Sequence, residues 1–257
     1  MQDYEPSALA KEMIRYLDCP CRVFGPMEDD DPLIAAYEQA RREGLREGYT
    51  PVLVRVDETL LECFVMNADE ENEPDFTLPA VRAYRAGLLK QPLPDGKALF
   101  EEWTALRRQE AGEDGFAWEE ILGTCAGGEP NDRLSSYWNY DTGFTDEVIL
   151  AKIPTDQPWR VFAWLPMGNF NDCPDTLSLM AAAKHWQERY GAVPAGMSHD
   201  ELEFLLSRPA AEDTAMELAL EQYAFCPDRV EQCGEDESVG TLADSLTKST
   251  VWYFWWD

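Results

Sequence analysis

The chain closes on Val251-Trp-Tyr-Phe-Trp-Trp256-Asp257, with five consecutive aromatic residues among its last seven. Each such ring carries roughly 150–250 Å² of surface to bury, so this terminus cannot be left in water. It is expected to be a central or covered strand, and the rest of the chain must supply the core that covers it. There is enough chain to do so. At 257 residues, 45% hydrophobic and 12% aromatic with nine Trp, it can bury a substantial core as one large domain or two intimate halves.

A second constraint is the run from Phe162 to Glu203. Arg160–Leu165 is apolar in both alternating phases, Val161, Ala163 and Leu165 against Phe162 and Trp164, and reads as a strand covered on two sides. Pro174 suits a first helical position and Gly191 the position just past a helix end. Between them Leu179, Ala183, Trp186 and Tyr190 fall on one face. Gly191-Ala-Val-Pro194 then returns to extended chain through Phe204-Leu-Leu206.

Upstream, Ser7 can cap a helix through Tyr16, which Cys19-Pro20-Cys21 breaks before a short apolar Val23–Phe24. Asp31-Pro32 is a helix start, and the helix runs to about Arg46 with Leu33, Tyr37 and Ala40 inward. Val52–Val56 is a β-branched strand; Leu60–Met66 is strand or helix, and so short a run does not decide between them. The order Pro32, helix, Gly48-x-x-Pro51, Asp57-Glu58 recurs as Pro174, helix, Gly191-x-x-Pro194, Asp200-Glu201. This suggests an internal duplication with Pro32–Met66 and Pro174–Leu206 as equivalent units. Leu78–Leu89 and Gly96–Arg108 read as helices, the latter with Leu99, Trp103 and Leu106 on one side. Gln109–Asp132 is turn-rich and the best boundary between halves, and Val148–Ile153 is a strand. Thr214-x-x-Glu217 resembles a capping box, with a helix start one turn earlier left open, for a helix to about Phe225, and a short helix spans Thr241–Leu246. The expected fold class is mixed α/β: two related halves, 1–145 and 146–257, each a short sheet with helices, packed as one body.

Charge narrows the function classes. Fifty acidic against 21 basic residues give a formal net charge of −29, which nucleic-acid backbones and anionic membranes would repel. A basic protein partner, a bound cation or plain solubility would each tolerate it. Met1–Lys11 holds no apolar run after a basic start, so no secretory signal is expected. Nor does any stretch approach the ~20 apolar residues of a membrane span. Seven cysteines without regular spacing suit reduced thiols in a cytoplasm.

Asn171-Asp-Cys-Pro174, Gly191-Ala192, Glu203, Arg208-Pro209, Glu221-Gln-Tyr223, Cys226-Pro-Asp228 and the closing aromatic segment together resemble the bacterial domain of unknown function numbered 4253. The resemblance covers about Lys152 to the C-terminus, and the segment with Asp31-Pro32 and Gly48-x-x-Pro51 is similar to the region preceding this domain in longer members. Two departures stand out: Gly168-Asn169-Phe170-Asn171 replaces a Gly-Gly-aromatic-Asn turn, and the loop Gln232–Val239 is longer and more acidic. The family carries no assigned activity. Members are similar to proteins of bacterial toxin–immunity gene clusters, which implies an immunity or partner-binding role.

Individual site candidates are few. Cys173 stands at or just before a helix N-terminus, where free N–H groups lower a thiol pKa. A nucleophile also needs a base, and His185 lies twelve residues along the same helix, roughly 18 Å away; only His199 remains. A buried structural Cys is the stronger reading. Cys19-x-Cys21 and Cys226-x6-Cys233 lack zinc-ribbon spacing, and the acidic knot Glu28, Asp29, Asp30, Asp31 lacks the alternating ligands and Gly of an EF-hand, so no metal is expected. No Gly-rich phosphate loop or Gly-x-Ser-x-Gly elbow is present, and no cofactor is implied. Glu203 lies in an apolar strand, where a carboxylate needs a partner. With Asn171, Asp172, Tyr223 and Asp228 it forms either one polar pocket or a structural hydrogen-bond network.

Three functions remain open. The leading one is a non-enzymatic cytoplasmic binding protein of immunity type that neutralises a basic toxin domain through Asn171, Asp172, Tyr223 and Glu28–Asp31. The second is a small-molecule enzyme built on the cluster Asn171, Asp172, Cys173, Glu203, Tyr223 and Asp228, with Cys173, Glu203 and Asp228 as its catalytic candidates. The third is a structural or regulatory module whose acidity serves solubility. Carboxylate clusters at Glu28–Asp31, Asp69–Asp75 and Glu235–Glu237 are the expected contributors to any electrostatic recognition.

Overall fold

The computed structural model describes residues 4–68, 76–232 and 238–257. Its centre is a six-stranded sheet built from β1 (Cys21–Phe24), β2 (Thr50–Arg55), β5 (Val148–Ile153), β6 (Val193–Met197), β7 (Glu201–Leu205) and β8 (Val251–Trp255). The strand order is β1-β5-β2-β6-β7-β8, and a small hairpin of β3 (Trp138–Asn139) and β4 (Phe144–Thr145) stands apart from it. Among the described residues only β2 and β6 run parallel, with Leu53 opposite Gly196; every other pairing is antiparallel.

Alternation along the strands divides the interior into two layers. Val52, Val54, Ile149, Ala151, Trp252 and Phe254 face the larger core, whereas Leu53, Val148, Leu150 and Val251 face the smaller. The smaller layer is covered by α2 (Asp31–Glu47) through Leu33, Tyr37 and Ala40, with Leu134 and Tyr137 beside it. The larger core takes most of the remaining helices: α1 (Ala8–Leu17), α3 (Glu58–Ala68), α4 (Leu78–Leu88), α5 (Gly96–Asp114), α7 (Thr176–Tyr190), α8 (Glu212–Phe225) and α10 (Val239–Leu246). Trp186 of α7 lies at its centre, fully buried, with ring contacts to Phe100, Phe204, Phe225, Trp252 and Phe254. The aromatic terminus is thus a covered strand, although an edge strand by position.

Local signals account for the helix ends. Ser7 accepts from Ala10 N–H at 3.0 Å and caps α1; Asp175 accepts from Ser178 N–H at 3.0 Å and caps α7, which stops at Gly191 with φ of 74°. Leu60–Met66 is helical because Asp57 accepts Leu60 N–H at 3.1 Å and starts α3. Ser238 caps α10, which begins at Val239 rather than Thr241, and α8 takes the earlier of its two expected starts, at Glu212, so Thr214-x-x-Glu217 lies inside the helix. On α5 the buried ring is Phe100, while Leu106 is exposed.

Three expectations are corrected. Arg160–Leu165 is not a strand: Pro158–Ala163 forms a 3-10 turn, in which Trp164 and Leu165 N–H both bond Val161 C=O. Its apolarity in both phases reflects burial under α7, and Pro158 presets the helical φ of the first turn. The duplication is not confirmed. Both units share helix and strand, α2–β2 and α7–β6, but α3 follows the first and β7 the second, and the two helices cover opposite layers. The halves do not carry a sheet each, since β5 inserts between β1 and β2 and one sheet runs through both.

Candidate functional site

A cleft of about 800 Å³ opens where α5 and α6 (Trp118–Leu122) meet the end of α8, α9 (Asp228–Glu231) and the turn before α7. Helix α5 supplies Arg107, Glu110 and Asp114, which recur at three- and four-residue intervals and so share one face. The helix stops at Gly115 in the left-handed region, and the chain turns through exposed Phe116 into α6, which adds Glu120 and Ile121. From the other wall, Tyr223, Asp228, Val230 and Glu231 come from α8 and α9.

The turn at 168–174 brings in Asp172. Gly168, Asn169 and Asn171 all have positive φ, and Asn169 N–H bonds the carbonyls of Cys173 (3.0 Å) and Pro174 (3.2 Å). A side chain at Gly168 would run into Pro174 O, so the left-handed turn needs glycine there. The tight loop presents Asn171 and Asp172 outward and keeps Cys173 inside. Asn171 Nδ2 donates to the Asp257 carbonyl, and Asp228 Oδ2 accepts Asp257 N–H at 3.1 Å. These two residues thereby fix the last residue of the chain beside the cleft.

Six carboxylates line the cleft, Glu110, Asp114, Glu120, Asp172, Asp228 and Glu231, against one guanidinium, Arg107. Arg107 bonds Asp172 at 2.8 Å and Glu110 at 2.9 Å. Burial works against its charge, and the bonds to Asp172 and Glu110 more than offset this, raising its pKa. Tyr223 donates to Glu231 at 2.7 Å; burial and that bond raise the phenol's pKa, so it stays a neutral donor. The lining is a negative concave wall with Phe116, Ile121 and Val230 as apolar patches, suited to an ammonium or guanidinium group on a partly apolar stem.

The structure therefore brings Asp172, Tyr223 and Asp228 together, with Asn171 alongside. It does not bring Glu203 to them. Glu203 points to the other layer, where its carboxylate is fully buried and accepts Ser135 N–H (2.7 Å), Ser135 Oγ–H (3.3 Å) and Ser136 N–H (3.1 Å). Burial raises its pKa to about 7 despite these bonds. Gly196 on β6 leaves the room, since a Cβ there would strike Glu203 Oε2 and Ser136 Oγ. Glu203 holds the Ser135–Ser136 segment against the sheet and lines no common pocket with Asp172.

Cys173 is buried among apolar side chains, two residues ahead of the α7 cap. Burial, with Cys226 and Cys63 nearby, lifts its pKa well above the ordinary thiol value. The helix N-terminal donor at Ser178 is taken by Asp175, and His185 is bonded to Glu221 at 2.9 Å. The arrangement stores a thiol; it does not activate one.

The acidic knot is also divided. Asp30 is buried and bonded to Arg133 (2.6 Å) and Tyr137 (2.8 Å), while Asp29 accepts Asp31 N–H at 3.0 Å. Glu28, Asp29 and Asp31 remain exposed. The Asp69–Asp75 and Glu235–Glu237 clusters lie outside the described residues. The residues missed from sequence are Arg107, Glu110, Asp114, Glu120 and Glu231. For the three on α5 the signal was the helical spacing from Arg107 to Asp114, hidden by ending the helix at Arg108.

Among the described residues no helix is long and apolar enough to cross a membrane. No curated protein and no solved structure matches the chain. The comparison that does succeed covers the wall of the cleft carrying Asp172, Tyr223, Asp228 and Glu231: residues 149–257 match the family of the domain of unknown function DUF4253.

Proposed function

We propose that this is a non-enzymatic binding protein whose acidic cleft receives a basic segment of a protein partner. The observation that carries the reading is the cleft's lining, six carboxylates to one guanidinium around about 800 Å³. A field of that sign, in a chain of net charge −29, attracts Lys/Arg-rich surfaces and speeds their encounter. An immunity-type role in the bacterial cytoplasm, with a basic toxin domain as partner, is the form of this reading that the resemblance noted in the sequence implies, and the free thiols of the described cysteines suit that compartment. The enzyme reading loses support because Cys173 is buried with a raised pKa and Glu203 is in another layer.

The test is capture from extract of the source organism with the immobilised protein, beside a Glu110→Gln/Asp114→Asn/Glu120→Gln variant. The expected result is a basic protein retained by the first and lost by the second. A partner retained equally by both would remove the cleft from recognition.

A further inference from the structure

Cys19 and Cys21 flank Pro20 at the junction of α1 and β1, both half-buried, with their Sγ atoms 3.9 Å apart. Their backbones are fixed independently. Cys21 pairs with Ala151 in the sheet, and Pro20 C=O accepts Lys152 N–H at 2.9 Å. On the Cys19 side, Asp18 takes a left-handed conformation and is gripped by Arg82 through two bonds of 2.6 and 2.8 Å. Buried Arg85 donates to the carbonyls of Tyr16 and Leu17. Closure would shorten this 3.9 Å separation to a bond of about 2.05 Å.

We propose that Cys19 and Cys21 are a redox-active dithiol that closes to a disulfide by exchange with a low-molecular-weight disulfide of the glutathione type. Cys21 attacks first, because the Cys19 S–H stabilises its thiolate and lowers its pKa. The Cys21 thiolate displaces one half of the external disulfide as a thiolate and forms a mixed disulfide. Cys19 then gives up its proton to that leaving thiolate and attacks the Cys21 sulfur, expelling the second half. The protein loses two protons and two electrons, and the external disulfide gains them as two thiols. This site is independent of the acidic cleft.

Trypsin should release Tyr16–Arg22, which holds Cys19 and Cys21 and no other cysteine. The full chain is incubated with oxidised glutathione, quenched in acid, alkylated and digested. The expected peptide is two hydrogens lighter and carries no alkyl group. In Cys19→Ser, glutathione should remain on Cys21; in Cys21→Ser, Cys19 should react far more slowly. Closure in the folded chain should be at least about tenfold faster than in the synthetic peptide, because the fold preorders the sulfurs. A wild-type peptide bearing two alkyl groups or a lasting glutathione adduct would overturn the proposal. So would a free peptide that closes as fast as the protein.

Discussion

Arg107 of α5 reaches Asp172 in the left-handed turn at 2.8 Å, joining the N-terminal part of the chain to the family-matched part across the mouth of the acidic cleft. Arg107 is 12% exposed and Asp172 52%, so water screens one partner. A double-mutant cycle of Arg107→Ala and Asp172→Ala should give a coupling of about 0.5–1 kcal/mol in chemical denaturation. Arg107→Ala alone should cost more, because its stem packs in the cleft wall and Glu110 also loses its partner. Zero coupling would mean that the bridge does not hold the two parts together.

The covered edge strand β8 predicts a severe truncation phenotype. Removing Val251–Asp257 strips Trp252 and Phe254 from Trp186 and takes away the strand that pairs with β7. A single large-to-small aromatic change in a core costs about 3–5 kcal/mol, against a total stability of about 5–15 kcal/mol. The truncated chain should lose its cooperative thermal transition, and Trp186→Ala should retain one at a clearly lower Tm. A truncated chain with a sharp transition would contradict the packing described for the larger core.

Much of this core was legible in the sequence, because five adjacent aromatic residues and the Pro174-to-Gly191 helix each have few physical solutions. The 3-10 turn at Pro158–Ala163 was not, since an apolar run buried on all sides has no periodicity to show. The duplication signal came from shared capping residues; Asp57 starts a helix, whereas Asp200 sits in a β-turn region bonded to Ser198 and Trp255. For the site, Asp172, Tyr223 and Asp228 could be grouped from one segment. Their partners on α5 lie more than 50 residues upstream, and only tertiary packing brings them close. The sheet face of Glu203 depended on strand register, which its isolated residue type does not reveal.

Glu203 gives a signed pH prediction. Its pKa rises from 4.5 in the unfolded chain to about 7 in the fold, so between these values the folded protein binds more proton. Stability from this group should therefore fall as pH rises from 4.5 to 7, by at most about 1.4 kcal/mol per pH unit. Glu203→Gln removes the titrating group, and that component of the slope should vanish in denaturation series across the window. An unchanged slope in the variant would assign the dependence to other groups.

Thiol reactivity should follow burial. Cys125 is exposed, whereas Cys173 and Cys226 are buried with raised pKa values. A maleimide should label Cys125 rapidly in the native protein and reach Cys173 only after unfolding, as peptide mapping would report. Cys173→Ser should leave partner binding unaltered. Fast native labelling at Cys173 would restore it as a reactive centre.

On the reading proposed above, the cleft rather than the total charge recognises a basic partner. The direct measurement is the association of a fluorescent Lys/Arg-rich peptide by stopped-flow, at low and near-physiological ionic strength, where screening acts over about 8–10 Å. Three proteins are compared: the wild type, the Glu110→Gln/Asp114→Asn/Glu120→Gln cleft variant, and a Glu28→Gln/Asp29→Asn/Asp31→Asn control with the same loss of charge. Cleft recognition predicts fast, strongly salt-dependent association for the wild type and control, and a loss of about tenfold or more in the cleft variant. Equal rates for the two variants would contradict it.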